Sequence, residues 1–474
     1  MGHGDQLDPD GVRSDGVPYY PADAGQLQSY EDARTALSQF ETPVFIHANN
    51  PHEYLYVASF DGTGNDKLKD PEHETNVAKV DDQIERVMHG GNDHLGRGYV
   101  PGPGTQDNSL ARTLDGLQGS TYDARVEKMY KLFIDHAWIW KQADPQAEIR
   151  LADIGFSRGG DEAAGFARLV HERGIQNPAG AHYTYDRNHQ ITRVAYIRPP
   201  LVAPGKVAQV ALLFDPVGTG VPEQHHDRRL PPSVISGIQI IAADERRGAY
   251  KSDHIIDPGV AENGRLLGLI VAGAHSDIGG AYDRNGLGIR SGNLGIDFLS
   301  ALSDKPFLAV EKEPDDPRLN VVHRSEYGSV FDRIYPKVDR STVHGYNELL
   351  VPWGTEAQVT DPYNAEPRDE ALNSQFEHQF VDTGLQPAPH DVARVPDSAL
   401  SSRLNWVIGA AKADDWVTFS RGNEALGYGA AGRAMLDRAE AQAAWLEQQA
   451  VEQAAHQGAG QQRAAQQAQP VMQH

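Results

Sequence analysis

The chain has 474 residues, no cysteine and a formal net charge of -23. The lack of cysteine excludes disulfides, thiolate metal sites and a cysteine nucleophile, and the acidic balance argues against binding to nucleic acid, which proteins hold through Lys and Arg. No apolar run approaches the roughly 18 residues that a membrane span needs, so any contact with lipid must be local.

Residues 1–50 are polar and rich in Gly, Pro and Asp, and one stretch, DAGQLQSYEDARTALSQF, can form a helix. We predict an N-terminal leader that lies on the surface. The first residues, MGHGDQLDPDGVRSD, have neither the basic start nor the apolar centre of a secretory signal peptide. We therefore expect no Sec export, which leaves export by a specialised machine open.

Short apolar runs that end in Gly or Asp alternate with helix-period stretches between residues 51 and 302. This alternation is typical of βα units around a mostly parallel sheet. Between the first two runs, residues 120–140 carry apolar side chains at helical spacing, which predicts a crossover helix. We predict one α/β domain over 51–302. The runs predicted as its strands are residues 54–60, 149–156, 209–215, 237–244 and 265–275.

The pattern loosens after residue 302 into polar sequence punctuated by proline. We predict that residues 303–430 form a cap or insertion packed on the α/β domain. Residues 431–474 begin with an Ala- and Glu-rich helical pattern and end in a tail of Ala and Gln. That tail has almost no apolar surface to bury, which predicts disorder.

The segment GFSRG, residues 155–159, follows a predicted strand and precedes a helix-like pattern. A G-x-S-x-G in this context is the nucleophile elbow of α/β-hydrolases, in which the glycines allow a sharp turn and the serine Oγ projects above the sheet. The alternative is a polar residue in a glycine-rich turn, since the chain has 47 glycines. The surrounding strand and helix favour Ser157 as a nucleophile.

A serine nucleophile needs a base and an acid that orients the base. In elbow hydrolases these follow in the order Ser, Asp or Glu, His, each in a loop after a later strand. Asp215 ends the run at 209–215, and His275 ends the run at 265–275. We therefore predict Ser157, Asp215 and His275 as the catalytic residues.

Two further residues could take these roles. Asp277 lies two positions after His275 and could be the orienting acid, although it could equally tie down its own glycine-rich loop. His323, in NVVHRSEYG, could be the base if the sheet continues past residue 302. We prefer His275 because the strand before it has the clearer pattern.

An oxyanion hole needs a second backbone N–H from a loop after an early strand. The sequence FDGTGND, residues 60–66, ends a predicted strand in a tight loop that begins at Asp61. The N–H groups of Gly62 or Thr63, together with that of Arg158, are our candidates, with Asp61 in a supporting role.

Other chemistries fit the sequence less well. The chain has no GxxxxGK[ST] motif, and no GxGxxG opens a helix at the 60–66 loop, which disfavours a nucleotide site. His89, Asp93 and His94 do not have the spacing of a known metal-ligand set. Asp277 and Asp283 could bind calcium, but a glycine-rich loop is the better interpretation. We expect no metal and no cofactor.

Six segments follow one another in the order found in a known family. They resemble the type VI secretion phospholipase effectors of the first lipase family, whose catalytic domain has the α/β-hydrolase fold. The segments are FDGTGND (60–66), YVPGPGTQ (99–106), GFSRGG (155–160), FDPVGTG (214–220), ADERR (243–247) and AGAHSDIGGAY (272–282).

This resemblance implies an enzyme that cleaves acyl esters of membrane glycerophospholipids, a phospholipase A-type antibacterial effector. Its implied triad is the elbow Ser, the Asp of the FD strand end and the His of HSD, which correspond to Ser157, Asp215 and His275. The implied partners are a phospholipid membrane surface, a component of the secretion machinery and a cognate immunity protein. Such a protein is made in the bacterial cytoplasm and injected into a target cell.

Two segments depart from the family pattern. The family usually has Ala, often followed by Tyr or Phe, where this chain has Gly160 and Asp161, and it commonly has Trp-Asp-Thr-Val where this chain has FDPV at 214–217. The Gln-rich end is similar to the tails of some type IV secretion effectors, which leaves the delivery machine open. Alternative functions are a soluble carboxylesterase or thioesterase of the same fold, and a non-catalytic secreted interaction protein.

Overall fold

The computed structural model describes residues 7–103, 121–187, 190–218, 228–248, 250–261, 263–328, 337–340, 347–351, 355–358 and 365–384. The chain divides into two compact units, Met1–Pro387 and Ala388–His474. The second unit lies outside the described residues, and so do the predicted helix and tail at 431–474.

The strands, numbered in chain order, are β1 (Tyr19–Pro21), β2 (Glu41–Pro43), β3 (Glu53–Phe60), β4 (Leu95–Val100), β5 (Glu148–Phe156), β6 (His182–Tyr185), β7 (Ile191–Ala195), β8 (Gln209–Phe214), β9 (Val234–Ala242), β10 (Gly259–Val260), β11 (Leu266–Val271), β12 (Val321–His323), β13 (Lys337–Asp339), β14 (Asn347–Val351), β15 (Thr355–Gln358) and β16 (His378–Phe380). The helices are α1 (Ala24–Ser38), α2 (Asn76–His89), α3 (Tyr122–Ala143), α4 (Arg158–Arg173), α5 (His275–Gly279), α6 (Gly286–Ser300) and α7 (Glu370–Asn373), with a 3-10 turn at Ser325–Tyr327.

A seven-stranded sheet in the order β10-β11-β9-β8-β5-β3-β4 forms the centre of the molecule. All neighbours pair in parallel except β10 with β11, which is antiparallel at the edge. Its central strands are buried on both faces, which explains why they read as continuous apolar runs rather than as alternating ones. This arrangement confirms the predicted α/β-hydrolase-like fold, a mostly parallel sheet flanked by helices.

Each face of the sheet has its own hydrophobic core. Leu55 and Val57 of β3 belong to the core that packs under α1, α2 and α6, whereas Tyr56 and Ala58 belong to the core under α3 and α4. The alternation follows from the period of two along a strand. The helix predicted over 120–140 is α3, which covers the second face.

Residues before 51 contribute to the core, contrary to our expectation of a surface leader. Asp23 caps α1 in a capping box with Gln26, and the helix packs against β11 and α6. Tyr30 is buried, and its hydroxyl donates to the carbonyl of Ala272 at 2.6 Å. Because the apolar residues of α1 fall on one face of the helix, they complete the first core.

Described parts of the predicted cap at 303–430 pair with the N-terminal strands. β12 lies antiparallel to β1, and β16 lies antiparallel to β2. Leu372 and Val381 enter the first core. None of the helices in the described ranges is long and apolar enough to cross a membrane.

Candidate active site

Ser157 lies on a sharp turn between β5 and α4. Its backbone has φ 58° and ψ -131°, and Ser157 and Asp215 are the only described residues other than glycine with positive φ. Such a conformation costs about 1–3 kcal/mol and persists only where the surrounding structure holds it. Ser157 is at the start of α4, yet its side chain makes no capping hydrogen bond. The hydroxyl is therefore not used to stabilise the helix.

The glycines of the elbow are required by close backbone packing. A Cβ on Gly155 would lie 2.2 Å from the carbonyl oxygen of Gly159, and a Cβ on Gly159 would lie 2.3 Å from that of Phe60. The turn after β5 is thus pressed against the end of β3. No side chain fits at either position, which gives the G-x-S-x-G spacing a steric reason.

Asp215 and His275 meet at the carboxyl edge of the sheet. Asp215 Oδ2 lies 2.7 Å from His275 Nδ1, and both side chains are buried. The elbow is bonded to the same turn, because the N–H of Ser157 donates to Phe214 O at 3.0 Å and its carbonyl accepts from Val217 N–H at 3.2 Å. The structure thus brings Ser157, Asp215 and His275 to one edge.

Aromatic rings hold the His275 imidazole from two sides. Phe156, the residue before the elbow serine, stacks on it with ring centroids 4.6 Å apart. Tyr250 meets it edge-on at 5.1 Å. Burial lowers the pKa of His275 despite its bond to Asp215. The imidazole is therefore neutral near pH 7 and able to accept a proton.

Arg340 binds the predicted acid from the segment after residue 302. Its Nη1 lies 2.8 Å from Asp215 Oδ1 and 3.0 Å from Oδ2, and it also donates to the carbonyl of Ala242. Burial alone would raise the pKa of Asp215, but Arg340 and the His275 bond lower it to about 2. We missed Arg340 because a charged residue 125 positions away in irregular sequence carries no local signal.

A second acid, Glu245, supports the histidine through the backbone. Its Oε2 accepts from the N–H of His275 at 3.1 Å, while Arg247 binds both carboxylate oxygens. Burial opposes ionisation of Glu245, but Arg247 lowers its pKa to about 2. Both residues belong to the ADERR segment, residues 243–247. The only sign of their importance in the sequence was the place of this segment in the order of the six family motifs.

The loop after β3 supplies the oxyanion candidates. The N–H of Gly62 donates to Asp61 Oδ1 at 2.7 Å, so this donor is already used inside the loop. Arg158 Nε donates to the hydroxyl of Thr63 at 2.6 Å, which joins the loop to the residue after the elbow serine. Because the N–H of Gly62 is bonded within the loop, Thr63 remains the candidate from this loop, while the bond between the Arg158 and Thr63 side chains uses neither backbone N–H.

The buried side chain of Asp61 stabilises this loop. It accepts hydrogen bonds from the hydroxyls of Thr75 at 2.8 Å and Tyr99 at 2.5 Å. Burial raises the pKa of Asp61 even with these donors. Asp61 thus stabilises the loop, and its supporting role in catalysis stays a prediction.

Asp277 and His323, the alternative acid and base, bind each other instead of the predicted residues. His323 Nδ1 lies 2.5 Å from Asp277 Oδ1. The other oxygen of Asp277 accepts from the N–H groups of Ala274 at 2.8 Å and His323 at 3.0 Å. Asp277 thus stabilises the loop that carries His275 through these hydrogen bonds.

The residues at which the sequence departs from the family pattern lie next to each other in the structure, since Gly160 faces Pro216. A Cβ on Gly160 would lie 3.0 Å from the ring of Pro216, so the smaller residue in the elbow helix accommodates the proline after Asp215. The neighbouring Asp161 forms a buried ion pair with Arg228, whose Nε lies 3.0 Å from Asp161 Oδ1. Arg228 also binds Asp253 at 2.6 Å.

The metal alternatives find no support among the described residues. No group of three or more acidic or histidine side chains in that part of the chain is arranged to hold a metal ion. His94 belongs to the His89, Asp93 and His94 set, and its Nδ1 donates to the carbonyl of Glu53 at 2.9 Å.

The sheet topology and the strained elbow define an α/β-hydrolase-like fold. Residues 56–196 match the model of a family described as type VI secretion system phospholipase effector Tle1-like, catalytic domain. The match confirms the resemblance to phospholipase effectors of type VI secretion that the sequence motifs indicate. The search of curated proteins found no match.

Two solved structures align with parts of the chain. One is the Tle1 effector bound to the VgrG spike from the type 6 secretion system, at 20% identity over 48% of this chain, with a TM-score of 0.26. The chain covers 51% of that effector, about half its length. The other is an iodinated complex of acetyl xylan esterase, at 11% identity over 54% of this chain and 97% of the esterase, with a TM-score of 0.23.

Proposed function

We propose that this protein is a serine hydrolase that cleaves acyl esters of membrane glycerophospholipids, as a phospholipase A-type effector. The observation that carries the proposal is the buried bond of 2.7 Å between Asp215 and His275, at the sheet edge where the strained turn presents Ser157. The family match over residues 56–196 supports the same chemistry.

In the proposed mechanism, Ser157 Oγ attacks the ester carbonyl while His275 Nε2 takes the hydroxyl proton. Asp215 accepts the Nδ1–H and stabilises the imidazolium that forms. The N–H groups of Thr63 and Arg158 stabilise the negative oxygen of the tetrahedral intermediate. His275 then gives the proton to the departing alcohol, which leaves as a lysophospholipid, and water releases the fatty acid from Ser157.

The low pKa of Asp215 suits this role. An acid that stays ionised throughout the cycle orients the imidazole and compensates its charge without itself accepting the proton. Arg340 keeps Asp215 ionised, and the aromatic rings of Phe156 and Tyr250 limit rotation of the imidazole.

The partners and destination in this proposal come from the family match. The protein would be made in the bacterial cytoplasm, carried by a component of the type VI machinery, delivered to the membrane of a target cell, and neutralised in its producer by an immunity protein. The solved effector that aligns with this chain is bound to a VgrG spike, which makes a spike protein the first carrier to test.

The test compares wild-type protein with Ser157→Ala on phospholipid vesicles and on a short-chain nitrophenyl ester. We expect Ser157→Ala to lose at least about 10⁴-fold in activity on both, whereas Ser38→Ala, at a half-buried serine at the end of α1 whose hydroxyl donates to the Thr35 carbonyl, keeps full activity. Mass spectrometry of the products identifies the acyl position.

Three results would overturn parts of the proposal. Turnover of the nitrophenyl ester without turnover of vesicles would indicate a soluble carboxylesterase or thioesterase. Retained activity in Ser157→Ala would eliminate the serine mechanism. Absence of any turnover, together with no labelling of the wild type by a fluorophosphonate, would indicate a non-catalytic interaction protein.

A further inference from the structure

A cavity of about 500 Å³ lies beside α3, between the carboxyl end of β4 and the residues around β7. Its size is within the range of small-molecule sites. Val100 and Pro101 form the wall next to β4, Thr121 and Arg125 stand at the start of α3, and Ile191 closes the opposite side. We refer to it as the α3 cavity.

The charges around the α3 cavity are opposite to those of the whole chain. Against a net charge of -23 for the protein, the cavity is lined by more cations than acids. The cations are Lys69, Arg125, Lys128 and Lys131, and the acid is Asp66. A concentration of positive charge in an acidic protein favours an anionic ligand at that place.

The cations differ in how far protein groups satisfy them. Arg125 Nε pairs with Glu162 at 2.7 Å, and Lys131 pairs with Asp135 one turn along α3. Among the described residues Lys128 makes no hydrogen bond or ion pair, and the Nη2 of Arg125 is buried with no hydrogen-bond partner. Burial and the neighbouring Arg125 lower the pKa of Lys128. A bound anion would relieve this repulsion and satisfy the buried donor.

The α3 cavity adjoins the candidate active site through short connections. The carbonyl of Val100 accepts from the N–H of Asp61 at 3.0 Å, at the start of the oxyanion loop. Glu162, which holds Arg125, lies in the first turns of α4 after Ser157. Val100 ends β4 and Ser157 follows β5, so part of the cavity wall and the elbow lie at the same carboxyl edge of the sheet.

Apolar side chains complete the cavity. Leu132 and Tyr185 line it and are 38% and 49% exposed, which leaves an apolar rim beside the cations. A ligand that suits these walls has an anionic group attached to an apolar body.

We propose that the α3 cavity binds the phosphate of a phospholipid headgroup, with Lys128 and Arg125 as its donors and the apolar rim against the rest of the lipid. This inference rests on the proposed function, since it assigns a binding site to the lipid substrate. It adds a specificity for phosphate-bearing lipids next to the ester-cleaving residues.

The experiment measures binding separately from hydrolysis, in the full chain carrying Ser157→Ala. Vesicles of phosphatidylcholine with and without phosphatidylglycerol are compared for the parent, for Lys128→Gln and for Lys141→Gln. Lys141 is in the last turn of the same helix, roughly 20 Å from Lys128 at 1.5 Å rise per residue, and is the matched control. Inorganic phosphate and uncharged detergent micelles serve as further probes.

We expect Lys128→Gln to weaken binding to the phosphatidylglycerol vesicles by about tenfold or more, as loss of a charge-assisted hydrogen bond predicts. Lys141→Gln should change it by less than about twofold, and Lys128→Arg should restore binding. Circular dichroism checks that the variants are folded. If Lys128→Gln fails to fold, Lys128→Met, which keeps the length of the side chain without its charge, is measured in its place, with a loss of binding expected again.

Equal losses in the Lys128 and Lys141 variants would overturn the proposal, because general surface charge would then explain binding. Binding of inorganic phosphate that Lys128→Gln weakens, with vesicle binding unchanged in the same variant, would assign the cavity to free phosphate. These outcomes are measured as binding and do not depend on turnover. Failure of the proposed function is seen in a different measurement, as hydrolysis by Ser157→Ala that equals hydrolysis by the wild type.

Discussion

Asp277 and His323 form a buried pair, with Asp277 Oδ1 2.5 Å from His323 Nδ1. Asp15, from the N-terminal segment, lies 3.0 Å from the other ring nitrogen, and the ring of Tyr282 stacks on the imidazole at 3.8 Å. Because Asp277 also accepts the N–H of Ala274, this pair links residues near the N-terminus and β12 to the loop that carries His275.

The pair predicts a loss of stability at alkaline pH. Burial lowers the pKa of His323, but the two carboxylates more than offset it and raise the pKa to about 9. Since the unfolded value is about 6.5, the contribution is fully present below that pH and is lost as the pH rises through about 9. The expected loss is on the order of 3 kcal/mol, measured as the free energy of unfolding in urea between about pH 6.5 and pH 9.5. His323→Gln should lose most of this slope, and an unchanged slope would contradict the prediction.

Arg340→Gln should destabilise the protein by about 3–5 kcal/mol, because it leaves the buried charge of Asp215 without its cation. Ester hydrolysis should fall as well, since Asp215 then ionises less readily. The matched control is Arg318→Gln, which breaks an ion pair with Asp316 at the surface. Denaturant unfolding measures both variants, and similar midpoints for the two would show that the Arg340 pair is not a stabilising contact.

Ser157→Gly should be more stable than Ser157→Ala by about 1 kcal/mol or more. Glycine adopts a φ of 58° without the steric cost that a Cβ imposes. Ser291 in α6 is the control, because there the helical backbone should make the Gly variant about 1 kcal/mol less stable than the Ala variant. If thermal melts rank Ala above Gly at both positions, the turn at Ser157 is not strained.

The effect of Gly160→Ala on stability should depend on the residue at position 216. A new Cβ would lie 3.0 Å from Pro216, so the proline must shift before the higher helix propensity of alanine can stabilise α4. In a double-mutant cycle with Pro216→Ala, we expect a coupling free energy of about 0.5–3 kcal/mol, with Gly160→Ala better tolerated in the variant background. Additive effects would show that the residues at positions 160 and 216 are not energetically coupled.

The residues that sequence reasoning located share one property, a position at the end of a regular element. Ser157 follows β5, and Asp215 and His275 follow β8 and the β11 segment, so local patterns of apolar runs and glycine were enough to predict them as candidates. Glu245 belonged to a motif, but no local pattern shows that a carboxylate binds a backbone N–H 30 positions away.

The residues that were missed act across the fold. Arg340 reaches Asp215 from sequence that has no clear period, and Tyr30 reaches Ala272 over 242 positions. The surface leader was predicted from polar composition, but a helix needs only a few apolar residues on one face to be buried. Composition averages over both faces and therefore hides such a stripe.

The position of Arg340 also limits how far the chain can be truncated from its C-terminal side. A fragment that ends at residue 302 would keep Ser157, Asp215 and His275 but lose the cation on Asp215, the partner strand of β2 and the histidine that fixes Asp277. A recombinant catalytic fragment should therefore include Arg340, β16 and Val381, which enters the first core. Contacts made from beyond residue 302, rather than the limits of the six motifs, therefore set the shortest fragment in which the candidate site keeps its supports.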